Sequence, residues 1–296
     1  MDVKTKKFGF GLMRLPQLSA ETTDIDHEQL NQMVDLYLEA GFDYFDTSYA
    51  YHNGESEVAI RKCLVSRYPR ERFRLASKLP TFIITEEAQV EEIFEQQLAR
   101  CGVDFFDYYL LHNVNGMRYR QVIRDTHMFD YLKKWKEEGK IRYIAFSFHD
   151  SADVLDRILT EHPEVEAVQI ALNYVDWDAY FVQAKACYDV IRKHGRQVII
   201  MEPVKGGMLI KVPEEAEKLM EAENPGASAA FMIAGTNDWI VPAEHMPARA
   251  AKMRKAGIPT ECTILPGVEH GFGTGKGMKA EGWIDKAVDF WEQQIK

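Results

Sequence analysis

Residues 41–54 read GFDYFDTSYAYHNG. The run Phe42–Asp46 is apolar and aromatic and then gives way to a polar turn, the behaviour of a buried strand where it leaves a core. Asp46 closes the run, and Tyr51 follows in the turn, ahead of a helix-like stretch. Two later runs end the same way. FRLASK (73–78) puts Lys78 at a strand end, and DYYLLH (107–112) puts His112 there. A fold that repeatedly sets a titratable residue at the C-terminal end of a buried strand is building its active site at that end.

Working outward, short apolar runs recur at 8–13, 42–46, 73–77, 106–111, 141–146, 166–171 and 197–201. Their spacing of about thirty residues is the period of a β-α unit. Helix candidates lie between them. HEQLNQMVDLYLEAG (27–41) carries Leu30, Met33, Val34 and Tyr37 on one face, with Gly41 placed to end it. DSADVLDRIL (150–159) opens on Asp150 and Ser151, good capping residues. Seven strands each followed by a helix favour a (β/α)8 TIM-type barrel over an open doubly wound sheet. GFGLMR (9–14) lacks the third glycine of a dinucleotide-binding turn.

The 296 residues carry a formal charge of −10, which argues against nucleic acid or an anionic membrane as main partner. KKWKEEGK (133–140) mixes signs and reads as a solvated helix face. The N-terminus has no apolar signal core, and no run approaches the length of a spanning helix. Cys63, Cys101, Cys187 and Cys262 are scattered without metal-ligand spacing, so no metal is expected. They read as small core residues in a reducing compartment, from which a cytoplasmic location is inferred.

Hydride transfer to a carbonyl leaves negative charge on oxygen and calls for a proton donor. An unperturbed phenol, with a pKa near ~10, is a slow acid at neutral pH. A neighbouring ammonium favours the phenolate, and a carboxylate holds the ammonium in place. Tyr51, Lys78 and Asp46 fit those roles, with His112 orienting the carbonyl. Singly, each has a plainer reading: a rim tyrosine, an ordinary ion pair, a core histidine. As a set at one barrel end they read as chemistry.

These residues also carry a family resemblance. FGFGLMRLP, GFDYFDTSYAYHNGESEVAIRKCL, FRLASKLP, LARCGVDFFDYYLLH, GKIRYIAFSFHD, VQIALNYVDWD and VIIMEPVKGGML follow, in order, the text of the aldo-keto reductases. From Phe8 to about Ser228 the chain resembles that family of NAD(P)H-dependent (β/α)8 oxidoreductases. The resemblance implies that Tyr51 is the general acid, Lys78 its tuner, Asp46 the partner of Lys78, and His112 the orienting residue. It implies NADP or NAD as cofactor. Ser147 and Gln169 would hold the nicotinamide carboxamide, Met201 would lie under the ring, and Pro203, Val204 and Gly206 would run along the pyrophosphate. Leu12, Phe82, Ile83, Asn113, Met117 and Trp177 would wall a site for an uncharged aldehyde or ketone.

After Ser228 the family's eighth strand and adenosine-gripping loop are not recognised. Residues 229–296 instead resemble the C-terminal end of an esterase-type α/β-hydrolase: GTNDWIVP would carry an acid, Asp238, and EHGFG a histidine, His270. No G-x-S-x-G elbow accompanies them, so a hydrolase remnant has no nucleophile. The expected organisation is a reductase-like barrel over 1–228 and a hydrolase-like segment over 229–296. Either AFMIAG (230–235) or TECTIL (260–265) would supply strand eight, leaving one β-α unit surplus. Besides a reductase, an esterase remnant and a non-catalytic nucleotide-binding barrel stay open.

Overall fold

The computed structural model describes residues 7–19, 23–179, 182–209, 230–237, 243, 246–255, 258–269 and 277–294. Every apolar run becomes a strand: β1 (Gly9–Gly11), β2 (Tyr44–Asp46), β3 (Arg74–Leu79), β4 (Phe106–Val114), β5 (Ile141–Phe148), β6 (Ala167–Ala171) and β7 (Gln197–Met201). Between and beside them run α1 (His27–Glu39), α2 (Glu55–Ile60), α3 (Ala88–Cys101), the single turn α4 (Gly116–Arg118), α5 (Met128–Glu137), α6 (Ala152–Glu161) and α7 (Ala184–Lys193). α1 shows the local logic. Asp26 caps its start by accepting from the Gln29 amide at 2.9 Å, and Leu30, Val34, Tyr37 and Leu38 form its buried face. Gly41, at φ 79°, takes the chain away. Met33, expected on the inner face, is 38% exposed.

The seven strands pair in parallel in sequence order, β1 to β7. Hydrogen bonds across the sheet show that it curls. In a flat sheet with strands about 4.8 Å apart, β2 and β6 would be about 19 Å apart. Instead the Gln169 amide on β6 donates to Asp46 on β2 at 3.0 Å. Tyr108 on β4 likewise reaches Gln197 on β7 at 3.1 Å. This is the curvature of a (β/α) barrel wall, as expected from the sequence.

Strand parity then sorts the side chains. Ala76, Tyr108, Leu110, Ala145 and Ala167 pack inside the curl with Tyr44 and Ile199. Alternate residues such as Phe45, Leu75, Tyr109, Ile144 and Val168 face outward into the larger core shared with the helices. On β1 the inward positions are Gly9 and Gly11. A Cβ on Gly9 would stand 2.9 Å from the Tyr44 ring, so its absence admits that ring to the interior. At the N-terminal end, the buried Asp107 carboxylate is held by Arg70 at 2.6 Å, Arg142 at 2.7 Å and the Leu75 amide at 2.9 Å.

The chain divides into two compact units: Met1–Trp177 with Val182–Pro203, and Asp178–Phe181 with Val204–Lys296. In the second, β8 (Ala230–Asn237), α8 (Met246–Lys255), β9 (Thr260–Glu269) and α9 (Trp283–Gln294) follow in order. The strands pair with each other in parallel as a separate two-stranded sheet. Both are strands as expected, but neither is hydrogen-bonded into the seven-stranded sheet, so the expected eighth barrel strand is not found among the described residues. Their mutual fit is specific: a Cβ on Gly235 would lie 1.8 Å from the Val268 carbonyl oxygen, where the register shifts. Phe290 of α9 packs on Phe231 of β8, with ring centroids 5.8 Å apart. Residues 210–229 lie outside the described residues. No helix among the described residues is long and apolar enough to cross a membrane.

Candidate active site

The inward parity that places Tyr44 and Ala76 inside the curl places Asp46 and Lys78 there too, one pleat nearer the C-terminal end. Lys78 is fully buried. Its ammonium donates to an Asp46 carboxylate oxygen, to the Thr47 carbonyl at 2.9 Å and to the Tyr51 hydroxyl at 3.1 Å. Three donated bonds use all three ammonium protons. Because the Tyr51 oxygen accepts from Lys78, its own proton points elsewhere. The other oxygen of Asp46 accepts from Gln169 at 3.0 Å and is approached by the Tyr44 hydroxyl at 3.5 Å. Asp46 is thus tied to β3 and β6 at once, and Lys78 has little freedom.

Tyr51 is delivered by backbone strain. His52, Asn53 and Gly54 follow it with φ values of 51°, 55° and 95°, three successive left-handed residues. Two of them are not glycine, a costly arrangement that persists only where neighbours enforce it. The His52 ring helps by accepting the Leu15 amide at 3.0 Å.

His112 arrives by a different device. The β4–β5 register shifts between Leu111 and Val114, and Asn113 sits at φ 60°. Such a bulge re-aims the side chains beside it. Ser147 fixes the bulge by accepting the Asn113 amide at 2.8 Å, and Thr81 donates to the His112 carbonyl at 2.6 Å. The His112 ring bonds to Ser48 through Nδ1 at 2.9 Å and stands edge-on to Tyr51, with centroids 5.8 Å apart. Both rings are half-buried, whereas the Lys78–Asp46 pair lies beneath them. The four residues singled out in the sequence are therefore brought together.

The electrostatics differ from expectation at one point. Burial pushes the Tyr51 phenol upward; Lys78 pulls it down, Asp46 opposes Lys78, and the net direction is up. The ammonium acts in the expected sense, but burial outweighs it, and the phenol is protonated at neutral pH. For Lys78, burial acts downward, yet Asp46 and Tyr51 outweigh it and the ammonium is held charged. Burial, reinforced by the charges of Lys78, His149 and Arg118, pushes His112 well below 6.5, so its ring is neutral.

That last shift makes a stability prediction. A histidine depressed in the fold leaves the unfolded chain with more bound protons below pH 6.5, so stability falls as pH drops through and below that value. His27, also lowered by burial, adds in the same direction. The Tm of His112→Asn should therefore drop less between pH 7.5 and 5.5 than that of the unsubstituted protein. Equal drops in thermal unfolding would contradict a buried neutral His112.

The remaining expected residues separate into groups. Ser147 and Gln169 are buried, face each other across the β5–β6 register, and are already hydrogen-bonded to Asn113 and Asp46. Met201 ends β7 half-buried, and Pro203 follows it exposed. Val204 and Gly206 belong to the second unit, Gly206 in a turn at φ 67°. Phe82 stands edge-on to His112, with centroids 5.5 Å apart. Ile83 is exposed, Asn113 is buried in the bulge, Met117 is half-buried in the turn α4 after β4, and Trp177 is half-buried on the loop after β6. Leu12 departs from expectation. It is fully buried in the outer core, because Gly9 and Gly11 take the inward parity and leave Leu12 outside. Asp238 and His270 lie outside the described residues. Ser48, Thr47, Thr81 and Tyr44 were not singled out in the sequence. Only Ser48 and Thr47 had a signal, their place in the DTS step that follows β2.

A curled parallel sheet with a carboxylate, ammonium, phenol and imidazole gathered at the C-terminal strand ends has the form of a barrel enzyme with an acid–base site. The sequence profile of the Aldo/keto reductase family matches residues 7–253, and the chain belongs to that family. The match runs past Ser228, where the resemblance read from the sequence stops. The chain is 28% identical over 188 residues to aldo-keto reductase yakc [NADP(+)] of Schizosaccharomyces pombe, covering 57% of this chain and 52% of that protein. It is 27% identical over 202 residues to an aldo-keto reductase of Mycobacterium avium, covering 68% and 65%. The chain thus spans about half to two thirds of the length of these curated relatives. Among solved structures, an aldo-keto reductase from Bacillus halodurans in its holo form aligns with a TM-score of 0.55 at 20% identity, over 97% of this chain and 86% of that one. One from Klebsiella pneumoniae in complex with NADPH aligns with a TM-score of 0.55 at 19% identity, over 69% and 66%.

Proposed function

We propose that this chain reduces a small aldehyde or ketone with hydride from NADPH or NADH, with Tyr51 as proton donor. The carrying observation is the chain of contacts from Asp46 through Lys78 to the Tyr51 hydroxyl at 3.1 Å, beside a neutral His112. The bound nicotinamide would supply the hydride. Ser147 and Gln169 fit its carboxamide in chemistry, since a hydroxyl and an amide offer both donors and acceptors. Met201 and Pro203, at and just after the end of β7, would hold the next part of the cofactor.

The protein's own part is to orient the carbonyl and move one proton. When Ser48 donates to Nδ1, the neutral ring carries its proton on Nε2 and offers it to the carbonyl oxygen. As negative charge grows on that oxygen, the Tyr51 proton transfers to it, and the phenolate left behind is met by the Lys78 ammonium already in place. The raised phenol pKa keeps the donor loaded before the step. Asp46, locked by Gln169, keeps Lys78 charged throughout.

The parallel β8–β9 pair joined by α8 is the kind of unit that a hydrolase-like segment would bring. It provides no nucleophile elbow, so the esterase reading is not adopted. The proposal is tested by titrating the protein with NADPH and NADH, reading tryptophan quenching, then following NADPH oxidation with a panel of aldehydes. Saturable binding with aldehyde-dependent oxidation is expected. Binding without turnover of any carbonyl would point to a non-catalytic barrel, and labelling by a fluorophosphonate probe to the esterase.

A further inference from the structure

Behind the Tyr51–Lys78 pair, on the outer face of the sheet, lies a second buried polar cluster that the proton-transfer scheme does not use. At its centre is Glu57, in the first turn of α2 and fully buried. One carboxylate oxygen accepts from the Ser77 hydroxyl at 2.7 Å and from the Gln97 amide at 2.6 Å. The other faces the Arg100 guanidinium at 3.7 Å. Gln97 also donates to Ser77 at 2.8 Å and to the Lys78 carbonyl at 3.2 Å, and its own carbonyl accepts from Tyr109 at 2.5 Å. Every one of these contacts but Arg100 is out of water. A carboxylate is costly to bury, so its retention in a sheet–helix core that apolar residues fill elsewhere calls for a reason.

Its position supplies one. Glu57 stands just beyond the strained turn His52–Gly54, and Ser77 immediately precedes Lys78 on β3. Glu57 therefore bonds the segment carrying Tyr51 to the strand carrying Lys78. Ser56 adds a parallel tie, donating to the Leu12 carbonyl at 3.0 Å and bonding to Thr47 at 2.8 Å. Arg100 packs under the same turn, 3.2 Å from where a Cβ on Gly54 would lie. Three left-handed residues in succession relax unless both ends of the turn are held.

We infer that Glu57 is a positioning residue for the reaction: through Ser77 and Gln97 it fixes the Tyr51 hydroxyl against the Lys78 ammonium. The inference rests on the reading of Tyr51 as proton donor, and it makes a prediction that a merely structural role does not. If Glu57 acts only by placing Tyr51, its removal matters only while the Tyr51 hydroxyl is present.

The experiment is a double-mutant cycle on kcat for NADPH-dependent aldehyde reduction, with cofactor affinity read by fluorescence. Glu57→Ala should lower kcat by about 10–100-fold, the scale of a misplaced reacting group, while NADPH affinity stays within about threefold. Glu57→Gln, which keeps an oxygen for Ser77 and Gln97, should recover most of that loss. In a Tyr51→Phe background, Glu57→Ala should lower kcat by less than about twofold. An equal factor in both backgrounds, or no loss in Glu57→Ala, overturns the inference and leaves the proton-donor reading intact. Full turnover in Tyr51→Phe overturns both. If Glu57→Ala loses cooperative unfolding, Ser77→Ala, which deletes one bond and keeps the carboxylate, enters the cycle under the same criteria.

Discussion

Replacing Lys78 with methionine should lower kcat by about 10²–10⁴-fold, the range attributed to a positioned acid–base group, and destabilise the protein at the same time. Both effects come from one geometry. The ammonium is the only cation bonded to the Tyr51 oxygen among the described residues, so without it the forming phenolate meets a buried site with a carboxylate nearby. Asp46 is the partner left behind. Breaking a buried ion pair from one side costs about 3–5 kcal/mol because the survivor stays charged and desolvated. Gln169 and Tyr44 still reach Asp46, which places the cost near the lower end, about 3 kcal/mol. Urea unfolding of Lys78→Met at pH 7 checks the stability term, and steady-state aldehyde reduction checks the rate. A rate loss with unchanged stability would mean that the Lys78–Asp46 pair contributes nothing to the fold. A stability loss with unchanged rate would remove Lys78 from the chemistry.

Tyr51→Phe is the complementary change, with a kcat loss of about 10²–10⁴-fold and a small structural effect. The ring still fills its half-buried place, its edge-on contact with His112 is kept, and the Lys78 ammonium stays 4.7 Å from the ring centroid. Lys78 also keeps its bonds to Asp46 and Thr47. The residues proposed for the nicotinamide, Ser147 and Gln169, do not bond to the Tyr51 hydroxyl, so cofactor affinity should hold within about threefold while turnover collapses. That split separates proton donation from damage to the cofactor site.

Much of this was legible in the sequence because the signals are local. Seven apolar runs with polar ends give the strands, and strand-end positions pick out Asp46, Lys78 and His112 before any tertiary contact is known. Parity would have gone further. Counting inward from Gly9 and Gly11 puts Leu12 outside the curl, in the outer core. Other features depend on long-range placement. The upward shift of Tyr51 comes from burial beneath the mouth, which no spacing reports. β4 runs to Val114 because of a bulge that Ser147 stabilises from β5. The runs at 230–235 and 260–265 were readable as strands, but an apolar run does not say which edge it joins. Gly235, which admits the Val268 carbonyl at close range, ties these two strands to each other. Glu57 was not singled out in the sequence, and only the fold shows Ser77 and Gln97 converging on it.

The proposed reduction turns on whether the Tyr51 hydroxyl gives the proton. The most direct measurement compares Tyr51→Phe with the unsubstituted protein on one aldehyde at saturating NADPH, recording kcat and the NADPH dissociation constant together. The expected result is a kcat at least about a hundredfold lower with an NADPH dissociation constant unchanged within about threefold. Turnover within about twofold of the unsubstituted protein would contradict it.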